Sequence, residues 1–340
     1  MFRYTSPAPL SPLSLGASYP TPVQRVDALC RPGSELWVKR DDLTHPVYGG
    51  NKVRKLEWLL AEARARGASR VVTVGAAGSH HVLSTAYFGR KAGLEVEAVL
   101  VPQPRTEHVV EVLRADLGLG LHAFPVRSWG AAPFALAARV LRGARLITVG
   151  GSSVTGSMGY VRAARELAAQ VRAGELPEPD VCVVALGSGG TAGGLTAGFE
   201  AEGLKTRVIG ACVSVPPWAL HLAALRLARA CARREGLRAS GAWARERFVM
   251  DRRFLGAGYG HRTPLGDEAT VVARAAAGLV LDPTYTAKAF AAALWQVRAR
   301  AAPVVLYWHT LSSASMAPLL AGAPLEVDID APLRKLLSGA

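Results

Sequence analysis

The sequence predicts an α/β protein built on a mainly parallel, helix-covered sheet. Three observations carry that expectation. Short β-branched or apolar runs recur along the chain, stretches with helical spacing lie between most of them, and a glycine-rich turn follows one of the runs and opens a helix. Alternation of this kind lays helices across a parallel sheet, with sites at the carboxyl ends of its strands.

In chain order, Val53, Leu56, Leu59, Leu60 and Ala63 recur at helical spacing, with Asn51 as the expected N-cap. RVVTVG at 70–75 reads as a strand, His81 to Ala92 as a helix and EVEAVLV at 95–101 as the next strand. RLITVGG at 145–151 follows, then a helical stretch from Ser157 to Val171. GELPEPD at 174–180 is the clearest break, so a domain boundary is expected near 160–180. Beyond it, VCVVALG at 181–187, RVIGACVSV at 207–215, GLVLDP at 278–283 and PVVLYWH at 303–309 read as strands. The basic stretch from Arg226 to Arg247 reads as the solvated face of a helix running into a loop.

A chain of 340 residues, 50% of them hydrophobic, supports a large core and suggests two domains. The first residues lack an apolar segment behind a basic start, and no apolar run approaches the roughly 20 residues that span a bilayer. A cytoplasmic location is therefore expected. Cys30, Cys182, Cys212 and Cys231 are widely spaced, which suggests neither a zinc site nor a disulfide framework. The net charge of +14 comes from arginine in an alanine-rich chain, without an aromatic ladder or nucleic-acid module beside it. Neither a nucleic-acid nor a membrane partner is expected.

ALGSGGTAGGLTAGF at 185–199 is the strongest glycine-rich element. Gly187, Gly189 and Gly190 permit close backbone approach, and Ser188 and Thr191 add hydroxyls at the positive end of a helix, a turn suited to phosphate. A plain strand-to-helix turn is the alternative. The dinucleotide pattern GxGxxA is met, but the next strand ends Val213, Ser214, Val215 without the acid that holds a ribose. A Walker motif fails because no GK[ST] follows.

The helix start GGNKVRK sets Lys52, Arg54 and Lys55 where the macrodipole disfavours cations. Neighbouring cations and desolvation lower a lysine pKa and free the amine for Schiff-base chemistry. On these residues alone a solvated surface lysine fits GGNK equally well. Pyridoxal phosphate would use both the lysine and the distant glycine loop.

WVKRDDLTHPVYGGNKVRKLEWLL at 37–60 resembles the N-terminal signature of the pyridoxal-phosphate enzymes that include D-cysteine desulfhydrase and 1-aminocyclopropane-1-carboxylate deaminase. The resemblance continues through PTPV at 20–23, GAAGSHH at 75–81, GGSSVTGSMGY at 150–160, GSGGTAGG at 187–194, GYG at 258–260, LDPTYTAKA at 281–289 and WHT at 308–310. It implies a tryptophan-synthase-β-like fold of two open, mainly parallel twisted sheets and a homodimer. It also implies a larger cofactor domain, 1–53 plus 163–340, with a smaller domain, 54–162, closing over the substrate.

Carried over by residue, the resemblance makes Lys52 the Schiff-base lysine and sets Lys55, Gly187, Ser188, Gly189, Gly190 and Thr191 around the phosphate. Ser79 and the amides after it, at His80 and His81, would bind the substrate carboxylate, and Ser79 is also available for proton transfer. Tyr259 and Tyr285 would line the substrate side as catalytic groups, with Thr286 beside them. Thr310 would neighbour the pyridine nitrogen. Small hydroxyl residues at both Thr286 and Thr310 resemble the desulfhydrases rather than the cyclopropane deaminases.

Three departures from the family pattern fall on residues expected around the ring. His80 replaces the asparagine expected on the cofactor's phenolic oxygen, Leu311-Ser312 replaces a Gly-Gly pair, and Ala287 replaces a glycine. The expected function is a pyridoxal-phosphate lyase or deaminase, D-cysteine desulfhydrase-like, releasing a 2-keto acid, ammonia and sulfide. The alternatives are another reaction on the same scaffold, such as cyclopropane deamination, β-replacement, racemisation or a biosynthetic step, or a catalytically degenerate cofactor-binding protein. The adjacent His80 and His81 diverge on a helix and lack an acidic partner, so no metal is expected.

Overall fold

The computed structural model describes residues 10–337. The chain runs through β1 (Val23–Arg25), β2 (Glu35–Arg40), α1 (Asn51–Ala65), β3 (Arg70–Ala76), α2 (His80–Lys91), β4 (Glu95–Val101), α3 (Glu107–Gly118), β5 (His122–Pro125), α4 (Ala132–Leu141) and β6 (Arg145–Leu146). It continues through α5 (Val154–Arg172), β7 (Val181–Leu186), α6 (Gly190–Ala201), β8 (Arg207–Cys212), α7 (Pro217–Arg234), α8 (Gly241–Arg247) and β9 (Phe248–Asp251). The last elements are α9 (Pro264–Ala277), α10 (Thr286–Arg298), β10 (Val304–His309), α11 (Ala317–Leu320) and α12 (Ala331–Arg334).

Among the described residues the strands form two open sheets. The larger has the order β1-β2-β10-β7-β8-β9, parallel except where β1 meets β2, and the smaller has the order β5-β4-β3-β6, parallel throughout. Both central strand sets are nearly continuous apolar runs because helices cover both faces. Helices α1, α5 and α6 pack in succession between the sheets, so the first turn of α1 faces the space between them.

Two expected strands differ. Residues 278–283 form no strand: Gly278 closes α9 at φ +64°, and Leu279 and Leu281 enter the large core without a sheet neighbour. The run at 145–151 stops pairing early, because Gly150 and Gly151 turn the backbone to φ +62° and +65°. The strands β1, β2, β5 and β9, unmarked by a strong run, complete the sheets.

The C-terminal segment does not stay with the larger sheet. Leu319, Ile329, Leu333, Leu336 and Leu337 join the core that covers β3 and β4, and Gln103 N donates to Leu336 O at 3.0 Å. The smaller sheet alone leaves apolar surface that this segment covers. No helix among the described residues is long and apolar enough to cross a membrane.

Candidate active site

The carboxyl ends of β3, β7 and β10 meet the first turn of α1 around a cavity of about 780 Å³. Helix α1 begins one residue earlier than the expected cap allows. Gly50 is the N-cap at φ +89°, and a Cβ there would stand 2.6 Å from the carbonyl oxygen of Thr310. Only glycine brings α1 this close to the end of β10. Asn51 is thereby the first helical residue, and its backbone N–H donates to Thr310 O at 3.0 Å.

The side chain of Asn51 has another use. It accepts from Lys52 Nζ at 2.9 Å and donates to Thr191 Oγ1 at 3.2 Å, which links the lysine to the glycine loop. Burial pushes Lys52 down to about 8 against the opposing pull of Asp282. Neighbouring cations are not the cause, which corrects the expectation for Arg54. Arg54 points to the far side of α1 and forms ion pairs with buried Asp41 and with Glu166. Lys55 does face the cavity, held by Gly150 O at 3.0 Å.

The pH dependence of cofactor loading follows. A neutral amine attacks the aldehyde, and Lys52 becomes neutral near pH 8 rather than at the ordinary lysine value of 10.5. Loading of the apoprotein is expected to speed up through about pH 8 and level off above it, read as the rate at which a visible absorption band forms. A rate still climbing toward pH 10 would show an unshifted lysine.

Gly187, Ser188 and Gly189 connect β7 to α6, whose first backbone amide is that of Gly190. Ser152 Oγ lies 2.8 Å from Ser188 Oγ and accepts from Gly190 N at 3.1 Å. A Cβ at Gly190 would stand 2.5 Å from Ser152 Oγ and 3.0 Å from Lys55 Nζ. Backbone amides, two serines and a lysine amine thus converge on one small space. Ser152 was not singled out from the sequence, although its place after GG in GGSS carried a turn signal.

On the facing side, Ser79 caps α2, its Oγ accepting from Val82 N at 3.4 Å. Tyr285 OH donates to Tyr259 OH at 3.2 Å, and their rings meet edge to face. Burial raises the pKa of both phenols, so each keeps its proton.

Asp282 is a second residue that sequence reasoning missed. Its carboxylate accepts from the amides of Thr284, Tyr285 and Thr286 at 2.9, 2.8 and 3.0 Å and from Thr286 Oγ1 at 2.6 Å. It is a side-chain cap that starts α10 and sets Tyr285 against the cavity, and Asp-Pro-Thr-Tyr-Thr carries the signal. The hydroxyl of Thr286 is engaged there as well. The other expected residues divide. His81 lies in the cavity wall with Nε2 2.9 Å from Thr73 Oγ1, while Thr310, Leu311 and Ser312 face the cavity. Ala287 does not: it is buried under α9 beside Gly266, so one of the three family departures lies away from the cavity.

The profile of the family described as "Pyridoxal-phosphate dependent enzyme" matches residues 15–310. The chain belongs to the pyridoxal-phosphate-dependent enzymes. It is 36% identical over 283 residues to a protein of Salmonella paratyphi A named D-cysteine desulfhydrase, covering 80% of this chain and 84% of that one. The crystal structure of an "ACC deaminase homologue" superposes with a TM-score of 0.78 at 29% identity, covering 92% of this chain and 96% of the other. Threonine deaminase isoform 2 from Solanum lycopersicum shares the fold alone, with a TM-score of 0.61 at 16% identity over 89% of this chain and 82% of that one. The architecture is the tryptophan-synthase-β-like one of these pyridoxal-phosphate enzymes.

The residues present fit pyridoxal phosphate. The amide-lined turn with Lys55, Ser152 and Ser188 offers donors for a phosphate, and a lysine with a freed amine stands one hydrogen-bonded residue away. The glycine at 190 leaves the space that a Cβ would fill.

Proposed function

We propose that this pyridoxal-phosphate enzyme is a lyase of the D-cysteine desulfhydrase type, which eliminates sulfide from D-cysteine and releases pyruvate and ammonia. The observation that carries the reading is the position of the acid. Asp282 is the one acidic residue lining the cavity among the described residues, and all four of its short contacts are to the start of α10. No carboxylate in that lining is left to hold a pyridine nitrogen protonated, and Thr310, which the family resemblance sets on that side, lines the cavity with a neutral hydroxyl. A weaker electron sink suits expulsion of a good leaving group better than a reaction that needs a long-lived carbanion. The similarity to the Salmonella desulfhydrase supports the same substrate class.

Bound here, pyridoxal phosphate would supply an aldehyde for an amine and a ring that withdraws the electron pair of a broken Cα–H bond. The chain supplies the rest. Lys52, its pKa lowered by burial and its amine oriented by Asn51, would hold the cofactor's aldehyde carbon and then take the Cα proton. The amides at the start of α2, with Ser79, hold the substrate carboxylate where the helix dipole favours an anion. Tyr285 and Tyr259 keep their protons and would give one to the leaving sulfur. Residues 54–162 form the smaller closing domain in this reading, and 1–53 with 163–340 the larger. The segment after about 316 rides on the smaller one, which tethers the two.

The test is incubation of the loaded protein with D-cysteine, L-cysteine, β-chloro-D-alanine, D-serine and 1-aminocyclopropane-1-carboxylate. Sulfide and pyruvate from D-cysteine, without 2-oxobutyrate from the cyclopropane, are expected. If D-cysteine, β-chloro-D-alanine and D-serine all yield no keto acid, the substrate assignment fails.

A further inference from the structure

We propose that Tyr48, His80 and His108 form a proton relay that connects the active-site cavity to solvent. Tyr48 lies in the loop before α1, His80 opens α2, and His108 sits in the first turn of α3. Tyr48 OH stands 2.5 Å from His80 Nδ1, and His80 Nε2 stands 3.0 Å from His108 Nε2. Tyr48 and His80 line the cavity, whereas the side chain of His108 is 48% exposed. His80 therefore has one ring nitrogen toward the reaction space and the other toward an imidazole that water reaches.

The hydrogen-bond inventory sets the direction of the chain. Burial holds the Tyr48 proton in place, so the phenol donates and Nδ1 of His80 accepts. A neutral imidazole has one N–H and one lone pair, so the His80 proton lies on Nε2 and is donated to Nε2 of His108. The His108 proton then lies on Nδ1, the nitrogen 3.7 Å from Glu111 Oε2. Three donors in series point outward.

The groups that face Tyr48 and His80 keep both neutral at rest. Burial, then His108, lower the His80 pKa, with Lys52 of α1 adding to this and Asp282 opposing it. Asp116 of α3 and Asp282 both disfavour a charged Tyr48 phenolate.

The proposal rests on the reading of the cavity as a site for amino-acid chemistry. A free amino acid arrives with its amino group protonated and must lose that proton to bond to an aldehyde. One proton passes from the substrate ammonium to the Tyr48 oxygen, which gives its own to His80 Nδ1. His80 gives its Nε2 proton to His108, and His108 releases its Nδ1 proton to water. One proton enters and one leaves, and nothing is oxidised. An asparagine at position 80 has no such pair of interconvertible nitrogens, so the family departure gains a function the amide lacks.

Two measurements on the loaded protein test this. The first is the nitrogen-15 spectrum of labelled histidines, which needs no turnover. The expected result is His80 protonated on Nε2 and bare on Nδ1, neutral between about pH 5 and 8, with a coupling across the bond to His108. The second is His108→Ala with D-cysteine. Its kcat is expected to fall by roughly 10-fold, less than the ~10²–10⁴-fold of a group that itself transfers the reacting proton. KM should be unchanged and added imidazole should restore the rate, which a merely structural role for His108 would not produce. A His80 proton on Nδ1, or a His108→Ala enzyme with the wild-type rate in every buffer, overturns the relay. Loaded protein that turns over no amino acid yet shows the expected nitrogen pattern overturns the substrate assignment and supports the relay.

Discussion

Lys52→Ala is expected to abolish the visible absorption band of the loaded protein and to lower turnover at least ~10²–10⁴-fold, the contribution of a positioned proton-transfer group. Lys52 combines two roles in one side chain. Its amine is freed by burial to about 8, and Asn51 holds it toward the glycine loop through Thr191. Lys55 is the one alternative carrier in the cavity wall, since its pKa is driven well below the ordinary value, first by burial and then by Lys52. Its Nζ is engaged by Gly150 O at 3.0 Å, however, beside the serine pair of the phosphate turn. Phosphate binding should therefore survive in Lys52→Ala, and free cofactor is expected to bind without the band. The measurement is the absorption spectrum of both proteins after cofactor addition, followed by sulfide release. A band that persists in the variant would move the role to Lys55.

The second large effect is on stability. Arg54→Met is expected to destabilise the protein by roughly 3–5 kcal/mol, as breaking a buried ion pair from one side does. Arg54 is 3% exposed and donates Nε and Nη2 to the two oxygens of Asp41 at 3.0 and 2.8 Å, while Nη1 reaches Glu166 Oε2 at 2.9 Å. Lys39 Nζ lies 2.6 Å from Glu166 Oε1, and Tyr160 OH donates to Asp41 at 2.7 Å. Two cations balance two carboxylates inside the protein. Removing the guanidinium leaves a buried net negative charge and breaks the bidentate bond. Urea unfolding of the apoprotein measures the loss, and Asp41→Asn in the same background should recover part of it because the pair is coupled. A change below about 1 kcal/mol would place the network with surface pairs that contribute little.

Arg54 also answers why three cations crowd the start of α1. Lys52 and Lys55, three residues apart, share the helix face toward the cavity, and the intervening Arg54 falls on the opposite face. The two lysines serve the ligand, and the arginine anchors the helix that presents them. The sequence displayed the cluster but not its division, because the acids that claim Arg54 stand at positions 41 and 166.

Legibility followed the range of the interaction. EVEAVLV was readable to the residue because its continuous apolar half, Ala98 to Val101, is how a strand buried on both faces is written. GLVLDP resembled such a run and was not one, since Leu279 and Leu281 are buried by the core of the larger sheet without backbone pairing. The phosphate turn was legible because consecutive glycines constrain the backbone locally. Asp282 was hidden in plain view, read as the tail of a strand when it is the cap of a helix.

What the amino-acid sequence determined by itself is the parallel α/β architecture, the glycine turn at 187–190 and Lys52 at a helix start. Periodicity, glycine content and capping act over a few residues and leave their mark in order along the chain. Only the tertiary structure decided that Arg54 turns from the cavity and that the C-terminal segment covers the smaller sheet. It alone brought His108 to His80 across 28 residues of chain. Each of these depends on which distant groups meet when the sheets pack, and long-range contact leaves no period in a sequence.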